Sequence, residues 1–136
     1  MRVRLLLLLL LGLQPHASAS DLEARLALAD ADRGRLLFGA CRTCHYPEAV
    51  MGHNTGPNLS GIFGKVAGKQ PGFDYYSPRF RAAGFVWTPQ LMYAWLEAPM
   101  VMFPDSSMMS LGVPDAQDRA DLIAFLMEAT RRDAER

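Results

Sequence analysis

Apolar residues recur at helical spacing in separate stretches of this chain, and no stretch alternates with the period of a strand. Leu36, Leu37 and Ala40 predict a first helix that starts near Leu22 or Asp32 and ends at Ala40. From Pro47 to Lys69 the glycines at 52, 56, 61, 64 and 68, with Pro57, forbid a long regular element and predict loop. Ser77-Pro78 has the form of an N-cap followed by proline at the first helical position, and Gly84 closes that short helix. Thr88-Pro89 repeats the signal and opens a helix carrying Leu91, Met92, Trp95 and Leu96, which Pro99 stops. Residues 99 to 114 read as loop. The last helix begins at Pro114-Asp115, has Asp118 in its first turn, and ends near Arg131 and Arg132, where the helix dipole favours cations. Leu122, Ile123, Phe125, Leu126 and Ala129 form its apolar face. The pattern predicts an all-α chain, a few helices joined by long loops, with no βαβ unit.

The first residues stand apart from this pattern. Arg2 and Arg4, the apolar run Leu5 to Leu13, and Ala17-Ser18-Ala19 follow the order of a secretory signal peptide cleaved after Ala19. The run is shorter than the roughly 20 residues that cross a bilayer, so no permanent membrane span is expected; an uncleaved anchor is the alternative. The expected domains are thus a leader at 1–19 and a single exported domain at 20–136, with a core of about 32–130. Without the leader's two arginines, the remaining chain has twelve basic and fourteen acidic residues, a formal charge of −2. That balance offers no basic stripe for nucleic acid. Such a small, loop-rich domain needs a staple, yet its two cysteines lie too close together to close a useful loop.

Those cysteines form C-R-T-C-H at 41–45, and three chemistries use such a pair. A thiol–disulfide centre places it at the start of a helix after a strand, whereas here it follows a helical segment. A structural zinc needs four ligands, but beyond the leader only Cys41, Cys44, His45 and His53 are on offer, and adjacent Cys44 and His45 do not easily converge on one ion. A covalent haem anchor needs nothing further: the thiols add to the two vinyl groups and the imidazole reaches iron. A large apolar macrocycle would also give the loops something to pack on.

Several further motifs follow in order: Gly34-x-x-x-Phe38, C-R-T-C-H, Thr55-Gly56-Pro57-Asn58-Leu59, Gly61-Ile62-Phe63-Gly64, Pro71-Gly72-Phe73, Trp87, L-E-A-P at 96–99, Pro104-x-x-x-Met108, and R-A-D-L-I-A-F-L at 119–126. From about Asp32 to Thr130 the chain resembles the class I c-type cytochromes, the family of mitochondrial cytochrome c and its soluble bacterial relatives. The resemblance implies an all-α fold wrapped around one covalently bound haem c, with thioethers at Cys41 and Cys44. It implies His45 as one axial ligand, oriented by the carbonyl of Pro57. For the other axial ligand, Pro104, Met108 and Gly112 match the family spacing, with Met109 as the alternative. Met92 and Met127, on helix faces, are expected to be packing. The resemblance also places Tyr75, Trp87 and Lys65 near a haem propionate, Trp95 where many relatives carry a tyrosine, and His53 where a histidine ties loops together. Gly34 and Phe38 would cross Leu122 and Phe125.

The implied activity is one-electron carriage by a monomer and not enzymatic turnover, since thioether ligation fills the iron and raises its potential. Redox proteins are the implied partners, for example a cytochrome bc complex, a terminal oxidase or a dehydrogenase, met in a bacterial periplasm. A dedicated subunit of one dehydrogenase, or a haem ligand-binding or peroxidase-type protein, are the alternatives. One departure stands out. Lys65 and Lys69 are the only lysines, so the basic ring of mitochondrial cytochrome c is missing, and strong steering toward an acidic partner is not expected. A contact through Met100, Met102, Phe103 and Met109 would replace it.

Overall fold

The structure is a computed structural model that describes residues 19–135, so nearly all of the expected leader lies outside the described residues. Six α-helices follow in order: α1 (Ala19–Leu26), α2 (Ala31–Leu37), α3 (Pro78–Ala82), α4 (Pro89–Glu97), α5 (Pro99–Met102) and α6 (Ala116–Ala134). Short 3-10 turns occupy Phe38–Ala40 and Ala49–Met51. The start signals operate as written in the sequence. Ser77 Oγ accepts from the Phe80 N–H, Thr88 Oγ1 from Leu91 and an Asp115 carboxylate oxygen from Asp118, each filling an orphan donor of a first turn.

Two expectations change. The first helical region is two helices, because Asp30 interrupts it: its side chain accepts from the N–H groups of Asp32 and Arg33 and restarts the helix. The segment after Pro99 is not all loop, since Pro99 pre-sets the helical φ and nucleates the single turn of α5.

The foundation is the crossing of α2 and α6. Gly34 lies so close to α6 that a side chain there would overlap the Asp121 carbonyl. That approach brings Phe38 and Phe125 to 5.3 Å between ring centroids. Charge fixes the register: Asp121 is buried at 1 % exposure, accepts from the Asp30 N–H at 3.0 Å and pairs with Arg33, which also reaches Asp118. Burial pushes the Asp121 carboxyl up, but its hydrogen bonds from Asp30, Gln117 and Arg33 more than reverse this and hold it below the ordinary aspartate value.

Around this crossing, Phe38, Leu122, Phe125 and Leu126 form one apolar cluster. A second, larger one is aromatic, with Phe80, Trp87, Tyr93 and Trp95 between α3, α4 and α6; Leu59, Phe63 and Leu96 pack against both. α1 adds Leu22, fully buried, to the second cluster, so packing begins well before residue 32. An isolated antiparallel bridge joins Val66 to Val86, with Gly64, Lys65, Ala67, Phe85 and Trp87 exchanging backbone bonds of 2.8–2.9 Å around it. That bridge seats Trp87. Three residues are too short to leave an alternating signature in a sequence.

Candidate functional site

The C-R-T-C-H segment is one further helical turn after the 3-10 piece. The N–H groups of Cys41 and Arg42 both bond to the Phe38 carbonyl, and those of Cys44 and His45 both bond to the Cys41 carbonyl, at 2.8–3.0 Å. Helical winding puts positions i, i+3 and i+4 on one face, which is where Cys41, Cys44 and His45 stand. The two thiols are not joined to each other and are half-buried. Burial, and secondarily the neighbouring Cys44, pushes the Cys41 thiol above its ordinary value. A nucleophilic redox cysteine is shifted the other way.

Each atom of the His45 imidazole has a defined duty. Its Nδ1 lies 2.7 Å from the Pro57 carbonyl oxygen. A carbonyl only accepts, so Nδ1 carries the proton and Nε2 keeps a bare lone pair. Burial drives the imidazole toward its neutral form, opposed in part by that hydrogen bond. The ring's flat face rests on Gly56, where a Cβ would come within 2.8 Å of both ring nitrogens. The Gly56 N–H bonds back to the Cys44 carbonyl at 2.8 Å and the Leu59 N–H to Tyr46 at 2.8 Å, so loop and turn form one unit.

Asn58, buried in that loop, carries more structure than its place in a motif suggested. Its amide donates to the Glu48 and Gly52 carbonyls, both at 2.8 Å, and its Oδ1 accepts from Ser60. Its backbone N–H donates to His53 Nδ1 at 2.9 Å, which leaves the His53 proton on Nε2, 2.8 Å from the Pro71 carbonyl. Both nitrogens of His53 therefore tie loops together.

The remaining predicted positions divide. Trp87 and Trp95 are both buried, 5.8 Å apart in an edge-on pair. Lys65 is half-buried and donates to the Ser60 carbonyl at 2.6 Å, with Gln70 Oε1 at 3.4 Å. Tyr75 points outward at 75 % exposure. The tyrosine turned inward is Tyr76, stacked on Phe80 at 5.5 Å, its phenol pushed up by burial against a hydrogen bond from the Gln70 backbone. Two adjacent tyrosines in a loop carry no periodic signal, so only the fold assigns their directions. Met108 is half-buried against the aromatic cluster, whereas Met109 is 89 % exposed. Met92 is buried as expected; Met127 is 45 % exposed, because its place on α6 faces away from both clusters.

These residues suit a haem. The donor set has one bare imidazole nitrogen, a half-buried thioether and two thiols on the imidazole's face of the turn, beside a cluster of aromatic rings. No three His, Cys, Asp or Glu side chains among the described residues group closely enough to hold a metal ion, so an ordinary zinc site has no ligand set there.

None of the family models searched matches the chain. Individual proteins do. Cytochrome c of Chlamydomonas reinhardtii is 39% identical over 102 residues, 74% of this chain and 90% of that protein. Cytochrome c2 of Rhodopila globiformis is 37% identical over 99 residues, 71% of this chain and 91% of that protein. Cytochrome c2 of Rhodomicrobium vannielii is 34% identical over 100 residues, 74% and 79% of the two chains. Likeness of that extent, together with a helical fold and a C-x-x-C-H turn, shows that the chain belongs to the class I c-type cytochromes, electron carriers with covalently bound haem c.

Proposed function

We propose that the protein carries single electrons between exported or membrane-bound redox proteins, with His45 and Met108 as the axial ligands of its haem iron. The observation that carries this reading is the His45–Pro57 hydrogen bond, which holds the proton on Nδ1 and leaves Nε2 free on the face shared with Cys41 and Cys44. Cys41 and Cys44 would hold the haem as thioethers. When bound, the haem supplies a reversible one-electron couple at its iron. The chain keeps the proximal imidazole neutral and oriented, and Gly56 lets the loop close on its face.

The burial contrast supports Met108 over Met109 as the second ligand. On oxidised holoprotein the weak far-red sulfur-to-iron band tests the choice. It disappears in Met108→Ala and persists in Met109→Ala; the reverse pattern would overturn the assignment.

Export is part of the same proposal. The intact mass of protein recovered from the periplasmic fraction should correspond to a chain starting at Ser20, and a retained leader would count against it. Partner contact in this reading depends little on long-range charge. Arg81 already donates to the Asp74 carbonyl, Lys65 to Ser60, and Arg79 stands 3.9 Å from Asp105. Neutralising Lys65, Lys69, Arg79 and Arg81 together should leave the low-salt rate of partner reduction nearly unchanged. A large loss would restore electrostatic steering.

A further inference from the structure

The loop that carries Met108 leaves the aromatic cluster after Phe103 and returns to the fold at Val113. Its return is fixed in three ways. The Val113 N–H donates to the Leu96 carbonyl at 2.7 Å. Gly112, at φ +90°, backs onto the end of α4, where a Cβ would lie 2.8 Å from the Glu97 carbonyl carbon. Arg119, from the first turn of α6, donates through one Nη to the Val113 and Pro114 carbonyls at 2.8 and 2.9 Å.

Arg119 needs an explanation. Its side chain is 4 % exposed, its Nε has no hydrogen-bond partner, and the Glu97 carboxylate stands 3.9 Å away at the surface. A buried guanidinium must be compensated. Its Cζ lies 4.4 Å from the centroid of the Tyr93 ring, a cation–π contact inside the fold. The Tyr93 hydroxyl in turn donates to Asp21 Oδ2 at 2.9 Å. Donation to a carboxylate shifts electron density into the phenol ring, which strengthens its hold on a cation.

Asp21 belongs to α1. There it is gripped by Arg25 Nε at 3.0 and 3.1 Å, and Gln117 of α6 donates to the Arg25 carbonyl at 3.2 Å. A continuous chain of contacts therefore runs from Asp21 through Tyr93 and Arg119 to the end of the Met108 loop. None of its members borders His45.

We infer that α1 is a strap on the Met108 loop, with Asp21 and Tyr93 as positioning residues that hold Arg119 and set how readily the loop opens and the sixth ligand leaves. The inference rests on Met108 being that ligand. Opening would take residues 104–113 away from the fold while α2, α6 and the His45 side stay closed.

Tyr93→Phe keeps the ring and removes the hydroxyl, and Asp21→Asn keeps the shape and removes the charge. On holoprotein at neutral pH, two quantities are read: displacement of the sixth ligand by added imidazole, and amide hydrogen exchange at Val113 against Ile123 in the centre of α6. Each variant should raise apparent imidazole affinity and Val113 exchange by roughly tenfold, the scale of one lost hydrogen bond to a charged group. Ile123, which exchanges through global opening, should change much less. The double variant should be little worse than either single one, because both cut the same chain of contacts. Equal acceleration at Val113 and Ile123 would reduce α1 to general stabilisation and overturn the strap, as would no change at either amide. Failure of Met108 as the ligand shows separately, as a far-red band that survives Met108→Ala, and Val113 exchange still reports on the strap in that case.

Discussion

His45 and Met108 sit in segments of opposite construction. On the His45 side, backbone bonds lock turn to loop, Asn58 anchors three backbone groups through its side chain, and a carbonyl 2.7 Å away sets the tautomer. On the Met108 side, the N–H groups of Met108 and Gly112 bond to the hydroxyls of Ser106 and Ser110, and Ser107 reaches the Tyr75 carbonyl. Met109 and Leu111 are almost wholly exposed. The first segment is a preorganised socket; the second is a span secured at its ends. Segments with few buried contacts open first, so ligand loss should begin at Met108 while His45 stays in place.

The comparison breaks most severely at Gly56. Gly56→Val places branched carbons within the His45 ring and should cost more than about 3 kcal/mol, the upper range for overpacking, enough that little folded holoprotein accumulates. Yield of covalent haem protein and its denaturation midpoint would check this. Asn58→Ala removes three side-chain hydrogen bonds and strands buried carbonyls, so a loss of about 2–4 kcal/mol is expected by urea unfolding.

The α2–α6 crossing supports both segments, and acid should sharpen its role. Asp121 is held below the unfolded aspartate value, so its contribution is full above the unfolded pKa and disappears as pH falls through the folded one. At pH 6 Asp121→Asn should therefore be less stable than the parent by about 1–3 kcal/mol, and the gap should close by about pH 2. A gap that widened in acid would contradict the sign. The smallest effect belongs to the outer face of the span: Met109→Ser should change stability by less than about 0.5 kcal/mol, measured the same way.

Local chemistry was the legible part. Helix starts at Ser77, Thr88 and Asp115 were readable because an N-cap acts within three residues of itself. The C-x-x-C-H turn was equally readable, since the spacing alone sets the shared face. The Gly34–Phe38 match to α6 followed from the family pattern, and the structure bears it out through the Phe38–Phe125 contact. Less was visible where distance along the chain is large. Nothing near Arg119 announces a buried charge, because its compensation comes from Tyr93 and, through it, Asp21 of α1. Met127 lies on an amphipathic helix yet faces outward, and Leu22 lies before the expected core yet is fully buried.

The sequence by itself determined the elements, the covalent anchor and the candidate ligands, because capping, helical winding and thiol spacing are properties of a few consecutive residues. Only the tertiary structure decided which tyrosine turns inward, which nitrogen of His45 carries the proton, which methionine of the pair at 108–109 packs inward, and that α1 reaches the far end of the Met108 loop. Those outcomes depend on groups brought together from distant parts of the chain, where burial and hydrogen-bond partners are set by packing and leave no local periodic trace.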